Sequence, residues 1–128
     1  MKKIGVKILL QKLKNSLRSK RIVMTNGCFD IIHSGHIEYL RKSKKYGDVL
    51  IVAINSDASV KLNKGRKRPI INLRDRIIIL SELRSVDYII TFNSKTPKNL
   101  YKIIKPNIIT KGQDYFKKKI AGLNNVLN

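Results

Sequence analysis

The 128-residue chain has no tryptophan, three prolines, one cysteine and only eight acidic residues. Each scarcity excludes something. With Cys28 alone, no intrachain disulfide forms and no cysteine cluster builds a structural zinc site, which fits a reducing, cytoplasmic compartment. No apolar run approaches the roughly 20 residues of a membrane-spanning helix. The amino terminus lacks the long apolar stretch and small-residue cleavage site of a secretory signal. Aromatic residues make up 6%, thin for a surface that stacks bases. Repeats and low-complexity tracts are absent, and the length suits a single domain over residues 1–128 with one core.

Positive charge is what the chain has in excess, at a formal +20. Alone, that would argue for nucleic acid or a membrane surface. Yet 20 of the 28 basic residues are lysine, beside 20 isoleucines and 11 asparagines, all with A/T-rich codons. Genomic base bias explains such a set, and the lysines run from Lys2 to Lys119 without forming a block. No membrane and no specific nucleic-acid partner is expected, although a basic surface that holds RNA or another anion stays open as an alternative. Among the scarce carboxylates, Asp30, Asp57 and Asp114 each follow an expected strand.

Val6, Leu9, Leu10, Leu13 and Leu17 recur at helical spacing and predict an amphipathic helix over residues 6–20. A strand over 21–25 follows, ended by the Asn26-Gly27 turn signal. A helix over 36–46, capped by Ser34, stops at Gly47. The apolar run over 49–54 reads as a central strand covered on both faces. Residues 60–69 read as a basic loop without periodicity, Asn72 opens a helix through about Leu83, and residues 88–92 form a third strand. Thr96 caps a helix that begins at Pro97 and ends at Ile104, and residues 107–110 form a fourth strand. The alternation predicts a Rossmann-like three-layer α/β/α fold with a parallel sheet of four to five strands, binding ligands beyond the carboxyl ends of the strands.

Residues 25–36, TNGCFDIIHSGH, leave the first strand and enter a helix, where such folds place phosphates. Gly27 and Gly35 allow close backbone approach to an anion, and the helix start offers unpaired N–H groups. The spacing is neither the dinucleotide fingerprint nor the Walker loop. His33 and His36, the two histidines of the chain, stand three apart and can point at one anion. As half of a metal site they would need a third nitrogen or soft ligand, and only Cys28 is available.

The His-x-Gly-His loop after a first strand resembles the signature of the nucleotidylyltransferase superfamily. Together with GDVLIVAINSDASVKLNKGRKRPI, VDYIITF followed by TP, and KPNIITKGQDY, it resembles the adenylyltransferase domain of bifunctional heptose 7-phosphate kinase / heptose 1-phosphate adenylyltransferases. The resemblance covers residues 6–122 and implies transfer of AMP from ATP to heptose 1-phosphate, giving ADP-heptose for lipopolysaccharide. By the resemblance, His33 and His36 bond the phosphates, Lys64 closes over the β- and γ-phosphates, and Arg76 helps to hold the triphosphate. Thr25, Asn26, Gly27, Cys28, Phe29, Gly35, Asn55, Asp57, Lys111 and Gly112 would contact nucleotide. Asp30 and Asp114 would meet substrate or magnesium-bound phosphates, with Mg2+ arriving on ATP. For Lys64 and Arg76, solvated charge is the competing reading, and for Asp30 a turn-fixing cap.

The implied partners are ATP and a sugar phosphate, with a homodimer and a separate kinase chain as further associations. The family pattern continues with a further strand and a Ser-Thr-Thr segment opening a last helix, whereas this sequence ends at Asn128. Other enzymes with the same loop, glycerol 3-phosphate cytidylyltransferases and FAD synthetases, remain alternatives, as does an inactive remnant that binds anions.

Overall fold

The computed structural model describes residues 2–112. Asp114 and the expected terminal helix start lie outside the described residues. In chain order the elements are α1 (Val6–Lys14), β1 (Ile22–Gly27), α2 (Ser34–Lys44), β2 (Val49–Asn55), α3 (Asp57–Lys64), α4 (Leu73–Ser81), β3 (Tyr88–Phe92), α5 (Lys98–Ile104) and β4 (Ile108–Ile109). The strands are parallel in the order β3-β2-β1-β4. β2 is buried along its whole length, as a continuous apolar strand between two neighbours must be.

Side-chain alternation divides the core between two faces. Ile22 and Met24 of β1 face one way, with Ile51 of β2, and pack with Leu9 of α1 and Tyr101 and Ile104 of α5. Val23 faces the other way, with Leu50 and Val52, and packs with Leu40 of α2 and Leu80 of α4. The result is three layers. Successive connections run one way from β1 through β3 and reverse for β4, which makes the carboxyl ends of β1 and β4 the point of topological reversal. Crevices open there in doubly wound sheets.

Several boundaries differ from the sequence expectation. The first helix ends at Lys14 instead of residue 20 because Asn15 leaves helical geometry (φ −114°, ψ −96°). Leu17 nevertheless packs on the core, its N–H bonded to the Lys12 carbonyl at 2.8 Å. The segment expected as loop from residue 60 belongs in part to α3, whose first turn is capped by Ser56 and which ends at Gly65, φ +93°. The eight residues of α3 are too few to show a clear period in sequence. α4 ends at Ser81, and α5 has Pro97 rather than Thr96 as its cap residue. β4 is only two residues long, flanked by Asn107, whose side chain accepts the N–H of Ile22 at 2.7 Å.

Unanticipated too is the amino-terminal segment, where Lys3 bridges to Ile89 and covers the outer edge of β3. Ile4 donates to Ile89 and Ile89 to Lys2, both at 3.0 Å. Among the described residues, no helix is long and apolar enough to cross a membrane.

Gly47 fits a close approach, rather than a helix cap. A Cβ built there would lie 2.6 Å from the Arg21 carbonyl oxygen and 2.8 Å from Val23 Cγ2. Gly47→Ala is expected to destabilise the fold by about 1–3 kcal/mol, the usual cost of forced overpacking. Urea denaturation would measure it, and an unchanged midpoint would contradict the close packing.

Candidate active site

The polypeptide leaving β1 at Gly27 turns sharply. Phe29 takes a left-handed conformation, φ 49°, and its ring lies so close to Gly27 that a Cβ there would be 2.9 Å from it. Phe29 is thereby buried beneath the loop, with its ring 5.6 Å from that of His36. Cys28 is half-buried, and burial pushes its thiol pKa up, so it stays protonated at neutral pH.

The two histidines form a reciprocal cap at the start of α2. His33, and not Ser34, is the cap residue: its Nδ1 accepts the Gly35 N–H at 3.0 Å. His36 Nδ1 accepts the His33 N–H at 3.2 Å. A backbone N–H can only donate, so both Nδ1 atoms are unprotonated and each neutral ring carries its hydrogen on Nε2. The rings lie 4.1 Å apart. The loop thus presents two Nε2–H donors beside the positive end of a helix. Gly35 is required by this arrangement, because a Cβ there would meet His33 Cε1 at 2.7 Å.

α2 is held against the sheet by a chain of hydroxyls. Thr25 Oγ1 donates to the Thr110 carbonyl at 2.9 Å, so the Tyr39 hydroxyl must donate to Thr25. Tyr39 in turn lies 3.2 Å from Thr110 Oγ1, which meets Ser43 Oγ at 2.8 Å. Tyr39 follows His36 by three residues, about one helical turn, so these bonds set the depth of the histidines over the sheet. Thr25, expected at the nucleotide, is itself fully buried beneath the crevice floor.

Arg76 is placed differently from the expectation of a phosphate contact. It is fully buried. Nε donates to the Ile71 carbonyl (2.9 Å), Nη1 to the carbonyls of Cys28 and Asn55 (2.8 Å each), and Nη2 to Asp57 Oδ1 (2.6 Å). One guanidinium ties the β1 loop to the end of β2 and to the segment before α4. Asn55 is buried as well, and its side chain bonds Ser59 at 2.9 Å. Asp57 is the cap-proximal carboxylate of α3, partly exposed and joined to Arg76.

Asp30 is buried and acts as a clasp. Its oxygens accept Ile70 N, Ile71 N and Arg68 Nη1, all within 2.8–3.0 Å. Burial opposes its charge, but the bonds from Ile71, Ile70 and Arg68 outweigh it and lower the carboxyl pKa. Of the two sequence readings for Asp30, the turn-fixing one describes its contacts. Lys64 ends α3, exposed, near enough for its charge to act on His36 and Cys28. Lys111 and Gly112 follow β4 at the same edge of the sheet, and Lys111 Nζ bonds Asn26 Oδ1.

The structure therefore brings the β1 loop, the histidines, Lys64 and Lys111 to one sheet edge, and turns Thr25, Asn55, Asp30 and Arg76 inward as its scaffold. Sequence reasoning did not single out Tyr39, Tyr101 or Arg68. Tyr39 could have been found as the polar-tipped residue one turn beyond His36, whereas Arg68 has no mark separating it from its basic neighbours.

The cytidylyltransferase-like family model matches residues 24–127. The bifunctional protein HldE of Helicobacter pylori strain ATCC 700392 / 26695 is 50% identical over 113 residues, covering 88% of this chain and 24% of that protein. HldE of a Nitratiruptor species is 56% identical over 105 residues, covering 82% and 23%. This chain thus spans about a quarter of the length of these curated relatives. A solved lipopolysaccharide core biosynthesis protein from Thermoplasma volcanium GSS1 superposes with a TM-score of 0.69 at 39% identity, covering 78% of this chain and 80% of that one.

Two outcomes follow from the geometry. Burial first, and beyond it the charge of Lys64, lower the His36 pKa below its ordinary 6.5. The fold favours the neutral ring, so its stabilising contribution is complete above about pH 6.5 and is lost as pH falls through the lowered midpoint. Long-range nitrogen-15 NMR should show the Nε2–H tautomer and a midpoint below about 6.5; an Nδ1–H tautomer would refute the reciprocal cap. Arg76→Met should cost roughly 3 kcal/mol or more in denaturant unfolding, because three carbonyls and Asp57 lose their donor.

Proposed function

The chain belongs to the cytidylyltransferase-like family of nucleotidyltransferases, and we propose that it transfers AMP from ATP to D-glycero-β-D-manno-heptose 1-phosphate. The observation that carries this reading is the locked pair of Nε2–H donors on His33 and His36 at the start of α2. Identity with HldE proteins and likeness to a lipopolysaccharide core biosynthesis protein support the choice of acceptor.

An oxygen of the sugar phosphate attacks the α-phosphorus of ATP, and the bond from that phosphorus to the bridging oxygen breaks, releasing pyrophosphate. A phosphate monoester is mostly dianionic at neutral pH, its second pKa being about 6, so the nucleophile needs no general base. Repulsion between the two anions and charge on the transferring group are the remaining barriers. His33 and His36 donate to oxygens of that group, the α2 amino terminus adds its dipole, and Lys64 neutralises the outer phosphates. Arg76 and Asp30 hold the loops that carry these donors.

Magnesium enters with ATP in this reading. Among the described carboxylates at the crevice, Asp30 is engaged by Arg68 and two backbone N–H groups and Asp57 by Arg76. The ion would be held largely by phosphate oxygens and water, and supplies charge neutralisation. A cytoplasmic location belongs to the same reading.

Pyrophosphate release should be observed with ATP, Mg2+ and heptose 1-phosphate, and not with CTP and glycerol 3-phosphate or with ATP and flavin mononucleotide. His36→Ala should lower kcat by about 100-fold or more, the usual cost of losing a preorganised donor. Release with a different substrate pair would reassign the acceptor, and normal turnover by His36→Ala would refute the mechanism.

A further inference from the structure

α3 carries Lys64 at its last position, yet little apolar packing holds this helix in place. Of its eight residues, Val60 is the buried apolar side chain, while Ala58 and Leu62 are exposed. Polar bonds hold the rest. The hydroxyl of Ser59, fully buried, accepts Asn55 Nδ2 at 2.9 Å and donates to the Ser94 carbonyl at 2.7 Å. One turn later, Asn63 Nδ2 donates to the Ser59 carbonyl and to the Lys95 carbonyl, each at 2.9 Å. Ser59 and Asn63 are four residues apart and so share one face of the helix. They grip consecutive carbonyls of the segment that joins β3 to α5.

Asparagine is among the weaker helix formers, so what it brings to the last turn of α3 is these two bonds. An amide has two hydrogens to donate, and both are used. The turn they fix is the one that ends the helix: the Gly65 N–H closes on the Lys61 carbonyl at 2.9 Å, and Gly65, at φ +93°, sends the chain away. The last turn of a short helix frays readily when only its backbone holds it.

We propose that Asn63 is the positioning residue of Lys64, pinning the last turn of α3 to the β3–α5 connection so that the ammonium stands by the histidine loop. Lys64 is exposed on a long stem, so the place of its backbone decides how far its charge reaches. That charge acts on His36, where it joins burial in lowering the pKa, and on Cys28. Asn63 touches no reacting group and acts through the lysine. The inference takes its functional meaning from the phosphate-transfer reading, in which Lys64 meets the outer phosphates of ATP, but the placement itself does not depend on that reading.

The His36 ring reports the position of Lys64 without any ligand. Lys64→Met removes a positive charge that disfavours the protonated ring, so the His36 midpoint in nitrogen-15 NMR should rise. Asn63→Ala should raise it in the same direction, and the double variant should rise no further than Lys64→Met, because Asn63 works through Lys64. His33, the other titratable group acting on His36, is present in every variant. Alanine is the better helix former and residue 63 is exposed, so Asn63→Ala keeps α3 and the core, which a thermal melt checks. Titration with ATP and Mg2+ reads the consequence for binding. Asn63→Ala should weaken affinity about threefold or more, as loss of a hydrogen bond would, and should weaken it no further in the Lys64→Met background. An unchanged His36 midpoint in either single variant, effects that add in the double variant, or unchanged ATP affinity in Asn63→Ala beside a weakened Lys64→Met would overturn the proposal. A protein that shows both NMR shifts and binds no ATP would uphold the placement of Lys64 and refute the phosphate-transfer reading.

Discussion

The crevice depends on a buried guanidinium. Arg76 has no exposure, yet it holds the carbonyls of Cys28, Asn55 and Ile71 and one oxygen of Asp57. Those four groups belong to the β1 loop, the end of β2, the segment entering α4 and the first turn of α3. Carbonyls at strand ends otherwise need water or a helix to satisfy them. Here one rigid fork satisfies three, and a lysine, with a point charge and no planar geometry, would not do the same. Loops that would otherwise move independently share a single anchor beneath the crevice floor.

Above that scaffold the two histidines are fixed by the protein itself. The histidine rings are oriented by backbone N–H groups, and α2, which carries them, is keyed to the sheet by Tyr39, Thr25, Thr110 and Ser43. Hydroxyls can both donate and accept, and their linkage in sequence leaves few alternative arrangements. Such rigidity is what transition-state stabilisation by fixed dipoles requires, since donors that must reorganise lose part of their advantage.

The fold was legible in the sequence because its strands are strongly apolar, although Asn26 and Gly27, expected as the turn that ends the first strand, are its last two residues. The continuous run over 49–54 identified the central strand, and the loop with both histidines was read correctly as leaving the first strand and entering a helix. What could not be read was the inward direction of charged and polar residues. Arg76 and Lys64 look alike in a chain with 28 basic residues, but one is buried and the other exposed. Burial of an arginine depends on acceptors from four separate segments, which no local pattern records. Asp30 is similar: its partners lie 38 to 41 residues away. The short α3 escaped because its eight residues mix lysine, serine and asparagine with few apolar positions.

The clasp at Asp30 has a kinetic meaning. It fastens the chain at Ile70 and Ile71, while α3 fastens it at Lys64. Gly65 through Pro69 is therefore a short tether fixed at both ends, with a contour of only about 17 Å. A segment so short rearranges by loop motion on the nanosecond-to-microsecond scale, not by the slower swing of a domain. Motion of this basic tether is consequently decoupled from any large change in molecular shape.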